Sequence, residues 1–594
     1  MMNITLNKLM PGENTRMMVI ATFIGLMAGI CNIVFRTVVH WVHAIFFEGG
    51  KELLGIEHGG WYVLLLPLIP ISGMVLLIPL SLLFPGEVNG YGFTKFLRKV
   101  NLEGGYIKAR TIGLKIVSTA LTIGTGNSAG VEGPIAAIGG AAGSQVGQFF
   151  RVSGSRMKVY IAAGAAGGIA GMFNAPIAGI FFASEIVLLG TFEISSFAAL
   201  VIASALSTVV TRAYYGETPA FPIPHYNLVN PFVEIPLYTL LALLVGFIAV
   251  FHIHIFYWVR DKYEKLPIHP QIKPITGAFL VGCMGIFYPQ IMGDGYEFLE
   301  NVLNGEGAIL LLLALVFMKI FATAITLGSG GAGGVFAPAL FIGAMVGGCF
   351  GHVANKFMPT LTADPGAYAT VGIGAFLAAS THAPMTAIFL LFEMTGNYKI
   401  IIPTMLTSII GTMVATKFNR DSIDTVDFTR EGIDIHEGRE AAIMKSVRVG
   451  KAITEDVDFI SERANINHLL EIFRMAKDSF YFPVVDDSGR MIGIISMQDV
   501  KSILHRAEEE RVCYLVGGIC SRDVIMLTPD DSLYKAMQLF DVKGIEEIPV
   551  VEDLENKWVV GMLKRRDVIA AYNHEVLKKG ISEKAETIRI TCGG

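Results

Sequence analysis

The chain has 594 residues, of which 53% are hydrophobic and only 16% charged. Soluble globular chains carry about 25% charged residues, so a wholly aqueous fold is excluded and much of this chain belongs in lipid. A net charge of −5 gives no basic surface for nucleic acid, and six scattered cysteines with no CxxC and no metal-ligand spacing argue for reduced thiols, with neither a disulfide framework nor a metal site.

In chain order, the polar start MMNITLNKLMPGENTR runs into an apolar segment without the charged, apolar and cleavage-site pattern of a signal peptide, so the first span is expected to be retained. Apolar runs at 17–46, 61–84, 194–210, 233–259, 309–327 and 400–416 are long enough to cross a bilayer core of about 30 Å. Between them, 116–150, 161–190 and 320–355 are apolar but interrupted by Gly and Pro in ways a simple spanning helix would not tolerate. Broken or re-entrant helices are stable at membrane depth only where protein encloses them or a cavity adjoins them. The membrane part is therefore expected over 1–418 and reads as a pathway rather than an anchor.

A charged linker follows at 419–446. From 447 the pattern turns soluble α/β, with short strands (FPVV, MIGII, IPVV, VVGML) alternating with amphipathic helices (INHLLEIFRMAK, SLYKAMQLFDVKG). This tail is doubled: FPVVDDSGRMIGIISMQDV (482–500) matches IPVVEDLENKWVVGMLKRRDV (548–568). The modules are expected at 447–510 and 511–580, with a terminal tail at 581–594.

The membrane part is doubled as well. GVEGPIAAIGGAAG (130–143) aligns with GVFAPALFIGAMVG (334–347), with Glu132 opposite Phe336. NAPIAGIFFASE (174–185) aligns with HAPMTAIFLLFE (382–393) in the same order. Transport proteins are often built from inverted repeats with the substrate site at the repeat interface.

Pro at the first helical turn and Gly just before it make Gly130–Pro134 and Gly334–Pro338 read as helix mouths opening inside the membrane. Free N–H groups there carry the positive end of the helix dipole. Two such mouths facing each other can hold an anion without a full cation, and 320–355 contains no charge. The candidate anion-binding residues are thus Gly130, Val131, Gly133, Gly334, Val335, Phe336 and Ala337, and the substrate is expected to be a small anion. Glu132, the only charge from 116 to 150, can occupy that site as a tethered competitor and leave it on protonation. The bland alternative is a carboxylate that merely stabilises a helix N-terminus.

These motifs resemble those of the CLC family of chloride channels and chloride/proton antiporters: Gly130-Val131-Glu132-Gly133-Pro134 its G-K/R-E-G-P, Gly334-Val335-Phe336-Ala337-Pro338 its G-x-F-x-P, together with the FNAP…E and APMTAIFLLFEMTGNY segments. The doubled tail resembles a CBS pair, with Gly493, Ile494, Ile495, Ser496 and Asp499 in the first copy and Gly561, Met562, Leu563, Lys564 and Asp567 in the second. The resemblance implies a polytopic α-helical membrane protein of CLC type, with an inverted repeat of broken, partly re-entrant helices, plus a cytosolic α/β CBS pair. It further implies a homodimer in a prokaryotic plasma membrane with one anion pathway per subunit, carrying chloride or another small anion. Glu132 looks like the family's gating glutamate, whether the protein is a channel or a proton-coupled exchanger. No cofactor is required; in nucleotide-binding CBS pairs the final Asp holds ribose, so Ser496, Asp499 and Asp567 are candidates for an adenine nucleotide, against the plain reading of Asp499 and Asp567 as helix caps.

Three departures, and a smaller fourth at Val131, limit the carry-over. Tyr91, in Gly90-Tyr91-Gly92-Phe93-Thr94, replaces the serine of the family's first anion motif, and its hydroxyl either takes over as donor or is simply packed. Asp424, in DSIDT, stands where a tyrosine closes the inner end of the pathway and is expected to point elsewhere or be protonated. Ile186 follows Glu185 where proton-coupled members carry a second acid, and Val131 replaces a basic residue. The rival readings are a CBS-bearing cation transporter, which would need clustered acids in the spans, and a membrane-anchored nucleotide sensor, which leaves the membrane repeat unexplained. An enzyme lacks any nucleophile–base pair, metal cluster or phosphate loop here.

Overall fold

The computed structural model describes residues 13–152, 154–190, 194–217, 223–224, 226, 229–433, 435, 444–445, 447–454, 457–475, 480–504 and 514–576. Most of the expected charged linker's second half and the expected tail at 581–594 lie outside these. The chain divides into two compact units after Ile435.

The first unit is helical. Its principal helices are α1 (Glu13–Val42), α2 (Leu68–Leu83), α3 (Phe93–Asn101), α4 (Arg110–Gly124), α5 (Glu132–Phe149), α6 (Gly154–Phe173), α7 (Pro176–Phe182), α8 (Ile194–Tyr215), α9 (Pro231–Lys265), α10 (Lys273–Phe287), α11 (Tyr296–Leu303), α12 (Ile309–Ser329), α13 (Phe336–Phe357), α14 (Pro365–Thr381), α15 (Pro384–Thr395), α16 (Ile401–Phe418) and the short α17 (Val426–Arg430). Among the described residues, seven helices are long and apolar enough to cross a membrane. Six correspond to the expected runs, and the seventh is α13. Leu310, Phe247 and Met413 project outward from these helices, as side chains solvated by lipid rather than water do.

The Gly-rich runs are interrupted as expected, and their remaining glycines serve a second purpose. The breaks fall between helices, at 125–131 and 330–335, while α5 and α13 are continuous. Their glycines are contact surfaces. A Cβ at Gly139 would stand 2.2 Å from the Gly164 carbonyl oxygen, and one at Gly143 2.2 Å from that of Tyr160. In the other repeat, Gly343 meets the Gly372 carbonyl at 2.5 Å and Gly347 that of Tyr368 at 2.1 Å. Absent side chains thus let α5 lie on α6 and α13 on α14 at backbone contact, the packing that replaces hydrophobic drive in lipid.

The second unit is α/β. Strands β1 (Ile460–Ser461), β2 (Tyr481–Val485) and β3 (Met491–Ser496) form one sheet, parallel then antiparallel; β4 (Glu547–Val551) pairs antiparallel with β5 (Val559–Lys564). Helices α18 (Ile466–Met475), α19 (Met497–Leu504), α20 (Val516–Ile519) and α21 (Leu533–Lys543) complete what is described by name. The two modules exchange their leading segments. Val447 and Val449 pack with Leu527, Leu533 and Leu563 of the second copy, while Val516 packs with Ile460, Phe482 and Ile495 of the first.

Candidate functional site

The two helix mouths meet backbone to backbone. Gly130 N–H donates to the Gly334 carbonyl and Gly334 N–H to that of Gly130, both at 2.8 Å. Gly90 N–H bonds the Gly330 carbonyl at 3.0 Å, and Tyr91 bridges to Gly333. A Cβ on Gly334 would lie 3.0 Å from the Gly133 nitrogen and 3.2 Å from Pro134 Cδ. Gly130 and Gly334 therefore do not offer their amides to a ligand, contrary to expectation; they pin the mouths together. Gly133, Val131 and Val335 flank the junction, Val131 and Val335 as the N-cap residues of α5 and α13. Neither helix has a side chain of its own capping its first turn.

Glu132, fully buried, reaches across this junction. Its Oε2 accepts the Ala337 N–H of α13 at 3.1 Å, and its Oε1 accepts the Tyr296 hydroxyl. The first turn of one repeat thus holds the carboxylate of the other. Gly130 is required for this geometry, since a Cβ there would stand 2.5 Å from Glu132 Oε2 and 2.9 Å from the Ala337 nitrogen. Phe336, the repeat-mate of Glu132, packs instead on Phe173 and Phe182, with ring centroids 5.8 and 6.1 Å away.

Tyr296 opens on a cavity of about 750 Å³, also lined by Val131, Arg36, His43, Asp294 and Asn301. The segment carrying Tyr296 is held by Lys319 of α12, wholly buried, whose Nζ donates to the carbonyls of Ile291 (2.9 Å) and Gly293 (3.0 Å). Tyr296 and Lys319 were not singled out from sequence. Lys319 is the sole charge within an apolar run, the signal that marked Glu132, but it falls one residue before the charge-free window at 320. Its repeat-mate is Lys115, in LKIVSTALTIG against MKIFATAITLG, one residue before the window that opens at 116. The Lys115 Nζ lies 2.1 Å from where a Gly92 Cβ would be. One of these cations is thus engaged by the carbonyls leading to Tyr296, and the other stands beside the first anion motif.

Tyr91 is buried, its ring edge-on to Phe256 at 5.6 Å, and its hydroxyl donates to Asp424 Oδ1. Asp424 thus points at Tyr91 rather than away. Tyr257 donates its hydroxyl to the Ile423 carbonyl at 2.8 Å and fixes the turn that presents Asp424.

The second motif pair is symmetric. Glu185 accepts the Met385 and Thr386 amides at the start of α15 (3.0 and 2.7 Å), and Glu393 accepts the Ile177 and Ala178 amides at the start of α7 (2.9 and 2.8 Å). Each short helix is capped by the acid of its mate, an antiparallel exchange favoured by both dipoles. Ile186 is buried in the π-helical turn Ala183–Val187. His252 is enclosed beside Phe376, 5.6 Å between ring centroids, while His254 bonds the Val250 carbonyl of its own helix. Among the described residues no group of three or more His, Cys, Asp or Glu could hold a metal ion.

In the second unit, Asp499 Oδ2 accepts the amide and the hydroxyl of Ser496, both at 2.7 Å, closing the first turn of α19. Asp567 follows β5 within 565–576, which is helical, and lies 3.8 Å from Arg566 Nε. Lys564, in the place of Ser496, is buried in register with Glu547.

A family model described as voltage gated chloride channel matches residues 72–416, and a CBS domain model matches 449–506 and 516–574. The H(+)/Cl(-) exchange transporter ClcA of Vibrio campbellii is 33% identical, covering 66% of this chain and 85% of its own length. The chloride channel protein CLC-f of Arabidopsis thaliana is 27% identical, covering 94% of this chain and 80% of its own. Two solved structures share the fold: a slow cyanobacterial Cl-/H+ antiporter (TM-score 0.63, 24% identity, 70% of this chain and 98% of that one) and a eukaryotic CLC transporter (TM-score 0.61, 19% identity, 93% and 98%).

Proposed function

The chain belongs to the voltage gated chloride channel family, and from that membership we propose that it carries chloride or a similar small anion across a membrane, through a pathway in each subunit gated by Glu132. It is a multi-pass membrane protein with a CBS pair, in a family of transport proteins rather than enzymes. The observation that carries the gate assignment is the seat of the Glu132 carboxylate on the Ala337 amide, at the N-terminus of α13. A helix start that holds a carboxylate suits a free anion once the side chain leaves. Protonation removes the charge that keeps Glu132 there.

Proton-coupled exchange is the preferred mode, because a relative 33% identical is an H(+)/Cl(-) exchange transporter. Passive conduction is the second reading, favoured by Ile186 at the position of the second acid. We further propose a homodimer with the CBS pair in the cytoplasm, in a prokaryotic plasma membrane, and an adenine nucleotide at the CBS pair. For the nucleotide, Asp499 would have to turn from Ser496 to a ribose; calorimetry with ATP, ADP and AMP on the full chain tests it, and no binding heat would leave Asp499 a cap. The transport reading is tested in liposomes carrying a chloride gradient. Proton movement against its gradient alongside anion flux is the result expected, flux without protons selects the passive mode, and no anion flux overturns the reading.

A further inference from the structure

Two carboxylates in this membrane unit are built alike. Glu132 accepts the Tyr296 hydroxyl beside the Gly130–Gly334 junction, and Asp424 accepts the Tyr91 hydroxyl, with Tyr91 bridged to Gly333 at the same junction. Both acids are buried, at 0% and 3% exposure. The Glu132 pair opens on the cavity; Tyr91 and Asp424 are absent from its lining, and Asp424 follows the last spanning helix, α16. The second pair therefore stands where the chain leaves the membrane part toward the CBS unit.

Among the described residues, the groups around Asp424 leave its charge without a cation. Arg260 of α9 is held by Asp427 of α17 at 2.8 and 2.5 Å. Arg430 of α17 is held by Asp261 at 2.8 and 3.0 Å, and Arg98 of α3 by Glu431. Tyr257 bonds a backbone carbonyl, and Ser422 Oγ takes the Asp424 amide at 3.3 Å. Lys115 of α4 reaches Gly92 and forms no ion pair among the described residues. An anion approaching Tyr91 while Asp424 is ionised meets a carboxylate, and a hydroxyl whose proton is already donated to it. That arrangement repels what the pathway is built to pass.

We propose that Asp424 is a second, proton-operated gate, which takes one proton from the inner solution before Tyr91 can donate its hydroxyl to an incoming anion. This rests on the transport reading above. The carboxylate gains the proton and becomes a donor to Tyr91 Oη, the Tyr91 O–H turns to the anion, and one proton and one chloride enter with no net charge. When the anion moves on, Asp424 returns its proton to the inner solution and the Tyr91 hydroxyl turns back to the carboxylate.

Calorimetric chloride binding to the full-length Glu132→Gln protein, across mildly acidic to mildly alkaline pH, tests this with the first gate unable to titrate. The expected result is an affinity that weakens with rising pH, approaching about tenfold per pH unit as one proton is taken up per anion. Glu132→Gln/Asp424→Asn should bind with a flat profile. Glu132→Gln/Tyr91→Phe should keep the slope and bind about tenfold more weakly, having lost a hydrogen bond to the anion. A flat profile in Glu132→Gln alone overturns the proposal without any change at 424, as does a slope that survives Asp424→Asn. Failure of the transport reading looks different: neither wild type nor Glu132→Gln then binds chloride at any pH, and both proposals fall.

Discussion

Among the described residues Glu132 is held by two donors and pairs with no cation, so each donor bears on how firmly the gate is seated. A hydrogen bond to a charged group contributes about 1.5–3 kcal/mol. Tyr296→Phe removes one such bond while keeping the ring, and should raise anion flux at neutral pH about tenfold in liposomes; unchanged flux would mean that Tyr296 is only packing. Lys319 and Lys115 are repeat-mates with different surroundings. Lys319→Met leaves the Ile291 and Gly293 carbonyls without their donor and should cost about 2–3 kcal/mol, read as a lower melting temperature in detergent. Lys115→Met should change stability by less than about 0.5 kcal/mol, since its ammonium forms no hydrogen bond or ion pair among the described residues. Equal losses would contradict the distinction.

At the level of elements, the glycine seams α5–α6 and α13–α14 leave no room for a side chain. Gly143→Val and Gly347→Val each drive a Cβ into a carbonyl oxygen at 2.2 and 2.1 Å. Overpacking costs about 1–3 kcal/mol where neighbours can yield, and backbone cannot. Both variants should lose the monodisperse peak in size-exclusion chromatography, and a normal peak for either would show that the seam can open. In the second unit, the turn into α21 is fixed by Asp531, which accepts the Thr528 amide at 2.9 Å and pairs with Lys535 at 2.8 Å. Burial pushes its carboxyl up, but the Lys535 ammonium and the Thr528 amide outweigh it and hold the group below the usual carboxylate range. A folded value below the unfolded one adds stability above the unfolded value, near pH 4, that is lost as pH falls through the folded one. Asp531→Asn should therefore cost about 1 kcal/mol at neutral pH and almost nothing near pH 2, measured by hydrogen exchange of the α21 amides in the full chain. An equal cost at both would make the effect one of packing rather than charge.

For the whole molecule, the doubled architecture was legible because both copies retain their Gly and Pro at matched spacing, and those residues act on the backbone where they stand. Glu132 was legible because a lone carboxylate in an apolar run demands a partner. The partner itself was not: Tyr296 opens the short helix α11 after a Gly-Asp-Gly turn, and its contact with Glu132 spans 164 positions. Tyr91 and Asp424 each read as a separate departure from a motif, yet they are one hydrogen-bonded pair across 333 positions. The Gly-rich runs are broken as expected, at 125–131, 174–175 and 330–335, but the use of their other glycines as helix contacts was not legible, because a glycine that breaks a helix and one that lets two helices touch look the same in one dimension. The expected amide donors at Gly130 and Gly334 failed for a related reason, since nothing local reveals that two loops will bond each other first.

The central claim, that the Glu132 carboxylate closes an anion pathway and opens it on protonation, is tested most directly by anion and proton flux through Glu132→Gln beside wild type in the same liposomes. The account predicts that wild-type anion flux rises as pH falls and is accompanied by protons, whereas Glu132→Gln passes anions at a rate nearly independent of pH on the side that opens to Glu132 and moves no protons. Wild-type flux, pH dependence and proton movement all surviving in Glu132→Gln would contradict it.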